Sequence, residues 1–234
     1  MRKNELKIVQ KRRKINVFGR SVGGGVTQSV TFDNGLKLPD YKYLSEVLDR
    51  QKVRSELGIK NEDFLLISVG ELSERKNQIM VLKALTEIKR SQTEIGRLIK
   101  YILVGKGSKE EEYKEFIKTH DLEENVQLLG FRSDIPELLR AADLFVFPSY
   151  QEGLPVALME AMSSGVDVIC SRIRGNTDLV SDGLFDPDNV DEVERLIMEK
   201  VERRREKNGN PEIIKMHFSA ETVKQDVKEI YKTI

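Results

Sequence analysis

From residue 64 onward, short apolar or β-branched runs alternate with segments in which apolar residues recur every 3.6 positions. The runs are 64–70 (FLLISVG), 99–105 (IKYILVG), 125–130 (NVQLLG), 143–149 (DLFVFPS) and 167–171 (DVICS). Four of them are nearly continuous apolar stretches, the pattern of strands covered by helices on both faces, and this predicts parallel strands. Between them, Val81, Ala84, Leu85 and Ile88 fall on one helical face, and so do Tyr113, Phe116, Ile117 and His120. Ser108 with Glu111 and Asp134 with Glu137 have the spacing of capping boxes and predict helix starts. Repeated strand–helix units with right-handed crossovers make a three-layer α/β domain with a Rossmann-like parallel sheet, expected over residues 34–208.

The first 60 residues are less regular. Residues 14–18 and 29–32 suit short strands separated by the glycine-rich 19–25, Asp33-Asn34-Gly35 is a turn signal, and 44–57 suits a helix that stops at Gly58. Residues 1–33 are expected to form an irregular segment or linker. At the other end, residues 209–234 are expected to hold an amphipathic helix with Val223, Val227, Ile230, Tyr231 and Ile234 on one stripe. A partly uncovered apolar stripe there would favour self-association.

Composition narrows the picture. The 234 residues include 39 basic and 39 acidic side chains, a formal net charge of zero, and 39% apolar residues, as in globular chains. One cysteine, Cys170, cannot make an internal disulfide, and no apolar run is long enough for a membrane span, so a cytoplasmic setting is expected. Residues 1–14 carry seven Lys/Arg against Glu5 alone, and Arg203, Arg204, Arg205 and Lys207 form a second cluster. Both read as solvated surface. They could also touch anionic headgroups at the inner face of a membrane. Without interleaved aromatic residues or a recognition motif, nucleic acid is not an expected partner.

Ligands of open parallel sheets bind beyond the carboxyl ends of the strands, so the loops there carry the candidate chemistry. The loop 70–77 (GELSERKN) begins at Gly70 and sets Arg75 and Lys76 side by side before a helix, an arrangement suited to phosphate. Gly105 and Gly107 flank Lys106, where small residues let backbone approach a ligand. The loop 149–155 (SYQEGLP) leads into a helix over 155–164 that is expected to start with Pro155, aiming amides and the positive end of its dipole outward. Glu152 lies in that loop and Glu160 roughly 7.5 Å along the helix axis from Pro155. Such a pair could address different parts of one long ligand, since a carboxylate suits two hydrogen bonds from a vicinal diol, and Glu152 could hold sugar hydroxyls or balance a cationic transition state. Equally, the two could be a loop acid and a helix-face acid in a salt bridge. Asp186-Pro187-Asp188 spells a DxD, read here as a polar turn rather than a metal site. Cys170 is expected to be a buried apolar residue, and His120 and His217 to be structural. No metal site is expected.

The segments SVGELSERKN, ILVGKGSKEEEYKEFI, VQLLGFRSDIPELLRAADLFVFPS, EGLPVALMEAM and ICSRIRGNTDLV stand in the order and spacing of one family. Residues from about 30 to 232 resemble the C-terminal, nucleotide-sugar-binding domain of the GT-B-fold retaining glycosyltransferases of group 1, or family 4. EGLPVALMEAM matches its E(x7)E motif. The resemblance implies donor binding and hexosyl transfer from a nucleotide diphosphate sugar in glycan or polysaccharide biosynthesis, without a metal or other cofactor. It makes Lys76 the holder of the diphosphate, assisted by Gly70, Arg75, Gly105 and Gly107, and the Gly153-Leu154-Pro155 backbone a contact to sugar and phosphate. It places Glu152 near the donor sugar, Glu160 on the ribose, and Phe131 and Arg132 beside the base. Glu152 and Lys76 are then the catalytic candidates. Glu71 replaces a common Arg, Asp167 a common Pro, and the glycine-rich hairpin near 182–186 is short, which could loosen the sheet edge. The family's acceptor-binding domain has no counterpart here, so the chain alone is expected to be weakly active or inactive. It would be the donor-binding half of a longer enzyme, one subunit of a split two-chain enzyme, or a non-catalytic remnant.

Overall fold

In the computed structural model, residues 2–11, 14–23, 28–32, 37–38, 50–91 and 93–203 are described. The chain divides into two units, residues 1–48 with 162–165 and 209–234, and residues 49–161 with 166–208. In the first, β1 (Arg2–Lys11), β2 (Lys14–Gly23), β3 (Gln28–Phe32) and β4 (Lys37–Leu38) form a sheet of order β2-β1-β3-β4. β1 pairs antiparallel with β2, from Arg2 opposite Gly23 to Lys11 opposite Lys14, and parallel with β3. The described residues of 1–33 thus form strands where an irregular segment was expected. The strand predicted at 14–18 runs on through part of the glycine-rich stretch because all ten of its residues find a partner in β1, and ladder pairing overrides weak local propensity.

The second unit holds the predicted Rossmann-like sheet. Its strands are β5 (Phe64–Val69), β6 (Ile99–Val104), β7 (Val126–Gly130), β8 (Leu144–Phe147), β9 (Asp167–Ser171) and β10 (Leu184–Phe185), ordered β10-β9-β8-β5-β6-β7 and all parallel. Five of these strands coincide with the apolar runs. The sixth, β10, falls in the short segment before Asp186, where Gly183 turns the chain at φ 68° and the pair Leu184–Cys170 begins the edge ladder. The strand order reverses direction between β5 and β8, the point where such sheets open a crevice.

Alternate strand residues face opposite layers. Phe64, Leu66, Tyr101, Leu103 and Val146 join one core with the buried faces of α2 (Ile79–Ser91), α4 (Glu110–Thr119) and α7 (Val190–Glu202). Leu65, Ile67, Ile102 and Phe145 are buried on the other side, where α1 (Arg50–Glu56) packs on α5 (Ile135–Ala141). Arg54 of α1 is 2% exposed and donates to the carbonyls of Ala141, Lys60 and Asp63 and to Asp143 Oδ2. Arg50 donates to the carbonyls of Arg140 and Ala142, so two guanidinium groups satisfy carbonyls that the end of α5 leaves open. The helix expected over 44–57 is seen as α1, with Gly58 left-handed at φ 71° after it; its earlier part lies outside the described residues. A short helix at Thr93–Leu98 (α3) leads into β6.

Neither expected capping box forms. Asp134 stands at the start of α5, but its carboxylate is taken by Arg132, whose hydrogen bond also holds that carboxyl below the usual carboxylate range. At α4 the cap is Lys109 rather than Ser108, and its amide is bound by the Leu72 carbonyl. The expected C-terminal helix and His217 lie outside the described residues. His120 caps the end of α4, half-buried and stacked on Phe116. Cys170 is fully buried, which pushes its thiol up to about 12.

Candidate functional site

The crevice between the ends of β5 and β8 is lined by the two loops singled out above. After β5 the chain makes a 3-10 turn, Glu74–Lys76, and Asn77 closes it in the left-handed conformation at φ 54°. Asparagine tolerates that conformation better than most residues. After β8, residues 149–155 lead into α6 (Val156–Ser164). Pro155 is not the first helical residue, as expected, but the cap: its carbonyl accepts from the Met159 amide. The first amides of α6 therefore have no partner carbonyl within their own helix, as at any helix start.

Lys76 and Glu152 meet across this crevice, with Nζ 2.7 Å from Oε1. Their side chains are 14% and 8% exposed. The ammonium lies 4.9 Å from the centre of the Phe147 ring, and the aliphatic stem passes Gly70 so closely that a Cβ there would sit 3.6 Å from Cε. Gly70 is itself at φ 151°. Arg75 adds a second cation 3.4 Å from the same Glu152 oxygen, and its Nη1 donates to the Gln151 carbonyl. The Tyr150 amide donates to the Arg75 carbonyl, tying the loops together along their backbones. Two cations and one carboxylate leave a net positive cluster beside the positive end of α6, an environment that favours a multiply charged anion.

Gly153 has open space around its Cα, and Leu154 is half-buried with its carbonyl accepting from Val156. The bend is backed by Gly175, at φ 95°, where a Cβ would come within 3.1 Å of the Glu152 carbonyl. Glu160 lies in the second turn of α6, half-buried, and burial pushes its carboxyl up to about 7. A Cβ at Gly105 would lie 1.9 Å from the Gly70 carbonyl and one at Gly107 2.1 Å from the Leu72 carbonyl, so the smallness of both residues admits the neighbouring loop of this chain. Phe131, 78% exposed, and Arg132, paired with Asp134, follow β7 on the same edge of the sheet but two strands from the crevice. Glu71 is exposed, and its carbonyl accepts from Gln78 Nε2.

Sequence reasoning missed three polar groups. Ser73 Oγ, Ser149 Oγ and Asn176 Oδ1 are buried without a hydrogen-bond partner among the described residues, and each lies in a loop that follows a strand on this edge. Native interiors rarely leave such groups unmet, and all three follow the carboxyl ends of strands in the parallel sheet. Asn176 Nδ2 donates to Ser171, whose hydroxyl reaches the Ser149 carbonyl at 2.5 Å. Only the three-dimensional meeting of the β8 and β9 loops reveals this cluster. Among the described residues no group of three or more His, Cys, Asp or Glu could hold a metal, and no helix is long and apolar enough to cross a membrane.

The family model for group 1 glycosyl transferases matches residues 49–212. The chain is 37% identical over 125 residues to an Escherichia coli UDP-Gal:alpha-D-GlcNAc-diphosphoundecaprenol alpha-1,3-galactosyltransferase, covering 53% of this chain and 32% of that protein. It is 29% identical over 145 residues to the E. coli K12 lipopolysaccharide glucosyltransferase WaaG, covering 62% and 38%. Among solved structures, Anabaena HepE in complex with UDP superposes with a TM-score of 0.75 at 25% identity, over 88% of this chain and 58% of that one. The chain thus spans about a third of the length of these curated relatives. The parallel sheet with helices on both faces is the expected Rossmann-like half of a GT-B fold. With the family model covering most of the second unit, and both loops of the crevice within it, the chain belongs to the group 1 glycosyltransferases.

Proposed function

We propose that this chain binds a nucleotide diphosphate sugar in the β5–β8 crevice as the donor half of a retaining, family 4 type hexosyltransferase acting in glycan or polysaccharide assembly. The observation that carries the reading is the meeting of Lys76 and Arg75 with Glu152 beside the start of α6, at the strand-order reversal. Lys76, Arg75 and the α6 amides would hold the diphosphate, and the same charges would stabilise the phosphate as it leaves. With two side-chain cations and a helix terminus on one diphosphate, the reading needs no metal. Glu152, now bonded to Lys76, would face the sugar once phosphate oxygens take over the ammonium. Glu160 would accept the ribose hydroxyls, and Phe131 with Arg132 would border the base. That HepE was solved with UDP and with UDP-glucose supports a uridine nucleotide as first probe. Acceptor binding would come from a further domain or a partner subunit, at the cytoplasmic face of a membrane.

Calorimetric titration with UDP, GDP and UDP-glucose tests this on wild type, Lys76→Ala and Glu160→Ala. A charge-assisted phosphate contact contributes about 1.5–3 kcal/mol, so Lys76→Ala is expected to weaken UDP binding by roughly 10- to 150-fold. Glu160→Ala should also bind more weakly, and both variants should melt as folded proteins. Equal affinity in all three would remove the site.

A further inference from the structure

We propose that the turn Asp186-Pro187-Asp188 is a bracket that positions the two loops of the donor site, with Asn77 and Asp188 as positioning residues for Lys76 and Glu152. The inference rests on the donor-site reading above and adds to it a third loop, bonded to the neighbours of the charged pair.

One arm of the bracket is Asn77. It follows Lys76 directly, is 4% exposed, and its Nδ2 donates to the Pro187 carbonyl at 2.9 Å. Its amide meanwhile reaches the carbonyls of Ser73 and Glu74, so the residue is held at both backbone and side chain. The other arm is Tyr150, whose hydroxyl donates to Asp188 Oδ1 at 2.9 Å while its amide donates to the Arg75 carbonyl at 2.8 Å. Following the contacts from Lys76 through Asn77, Pro187, Asp188, Tyr150 and Arg75 returns to Lys76. The loops that carry the ammonium and the carboxylate are thus joined in a closed ring through the same turn.

The turn is stiff enough to serve. Asp186 accepts from the Asp188 amide at 2.9 Å, its own amide donates to Glu192 Oε2 at 2.8 Å, and Asn189 caps α7 at the Glu192 amide. α7 is anchored in the core through Val193, Leu196 and Ile197. The carboxylates of the DxD-like segment therefore have structural partners within the protein. A lysine side chain is long and loses much rotamer freedom when it is fixed, so holding its backbone from the far side reduces what the ligand must order.

The test uses UDP titration of the whole chain in wild type, Asn77→Gly, Asp188→Ala and Asp188→Asn, and of Asn77→Gly with and without Lys76→Ala. Glycine accepts the left-handed backbone, so Asn77→Gly removes only the side-chain tie. UDP affinity is expected to fall about 2- to 10-fold in Asn77→Gly and in Asp188→Ala. Asp188→Asn keeps an oxygen that accepts from Tyr150 and should bind as wild type does. In the Lys76→Ala background, at millimolar UDP, Asn77→Gly should cost nothing further, a coupling that a general loss of stability would not produce. The bracket alone is overturned if wild type binds and Lys76→Ala weakens binding while Asn77→Gly matches wild type. It is also overturned if Asp188→Asn is as weak as Asp188→Ala, or if the Asn77→Gly loss persists without Lys76. Absence of UDP binding by wild type defeats the donor-site reading and the bracket with it. Asp188 is exposed, so its variants keep the question open to test even if Asn77→Gly fails to fold.

Discussion

The two acids of the E(x7)E spacing have different surroundings, and the difference can be titrated. Glu152 is held against two cations, whereas Glu160 has its carboxyl pushed up to about 7 by burial. A carboxyl whose folded value lies above its ordinary 4.5 binds its proton more tightly in the folded state. Its stabilising contribution is therefore fully present below about 4.5 and is lost as pH rises to about 7. The stability of wild type relative to Glu160→Gln, from urea melts at several pH values, should decline across that window and level off above it. A difference that stays constant from acid to neutral pH would contradict this environment for Glu160. At the same scale, Gly105 shows a packing demand of its own, because the atom nearest its missing side chain belongs to a neighbouring loop of the chain itself.

Among the elements, the described part of α1 depends on contacts distant in sequence. Its seven described residues are too few to persist by propensity alone. Arg54 fastens it by charge-assisted bonds to the end of α5 and to Asp143, which also accepts from the Leu65 amide of β5. Removing one partner of a buried pair leaves unmet charge and carbonyls, so Arg54→Ala should destabilise the fold by about 3 kcal/mol or more, read as a lowered urea midpoint. Arg54→Lys should be only partly restorative, because one ammonium cannot copy a planar fork reaching four acceptors. Loss below about 1 kcal/mol for Arg54→Ala would show that α1 is held mainly by its apolar contacts. The helix starts teach a related lesson. Asp134 has the right residue type and spacing for a capping box, yet a guanidinium two residues away competes better for its carboxylate.

At the scale of the whole molecule, the chain carries the crevice proposed above as a donor site and spans about a third of the length of the two curated relatives named above. If the acceptor site is supplied by another domain or subunit, donor binding and sugar transfer should separate. The chain alone is expected to bind UDP but to release UDP from UDP-glucose no faster than Lys76→Ala does, in a coupled assay for free UDP. Sustained turnover by the isolated chain onto a simple sugar would overturn the incomplete-half reading. Restoration of turnover by adding an acceptor-binding protein would favour the split enzyme.

Much of this protein was legible in local sequence. The apolar runs and the 3.6-residue stripes located five strands and the helices between them, because burial on both sheet faces leaves a mark on every consecutive residue. The matched loops also pointed to Lys76 and Glu152, since phosphate chemistry demands cations and amides at strand ends. What periodicity cannot express is which strands become neighbours. That Lys76 and Glu152, 76 positions apart, form one ion pair follows from β5 lying beside β8, an outcome of the packing of the sheet as a whole. The Asn77–Pro187 tie belongs to the same class. It exists only through a partner distant in the chain, and a pairing of that kind has no local signature from which it could be read.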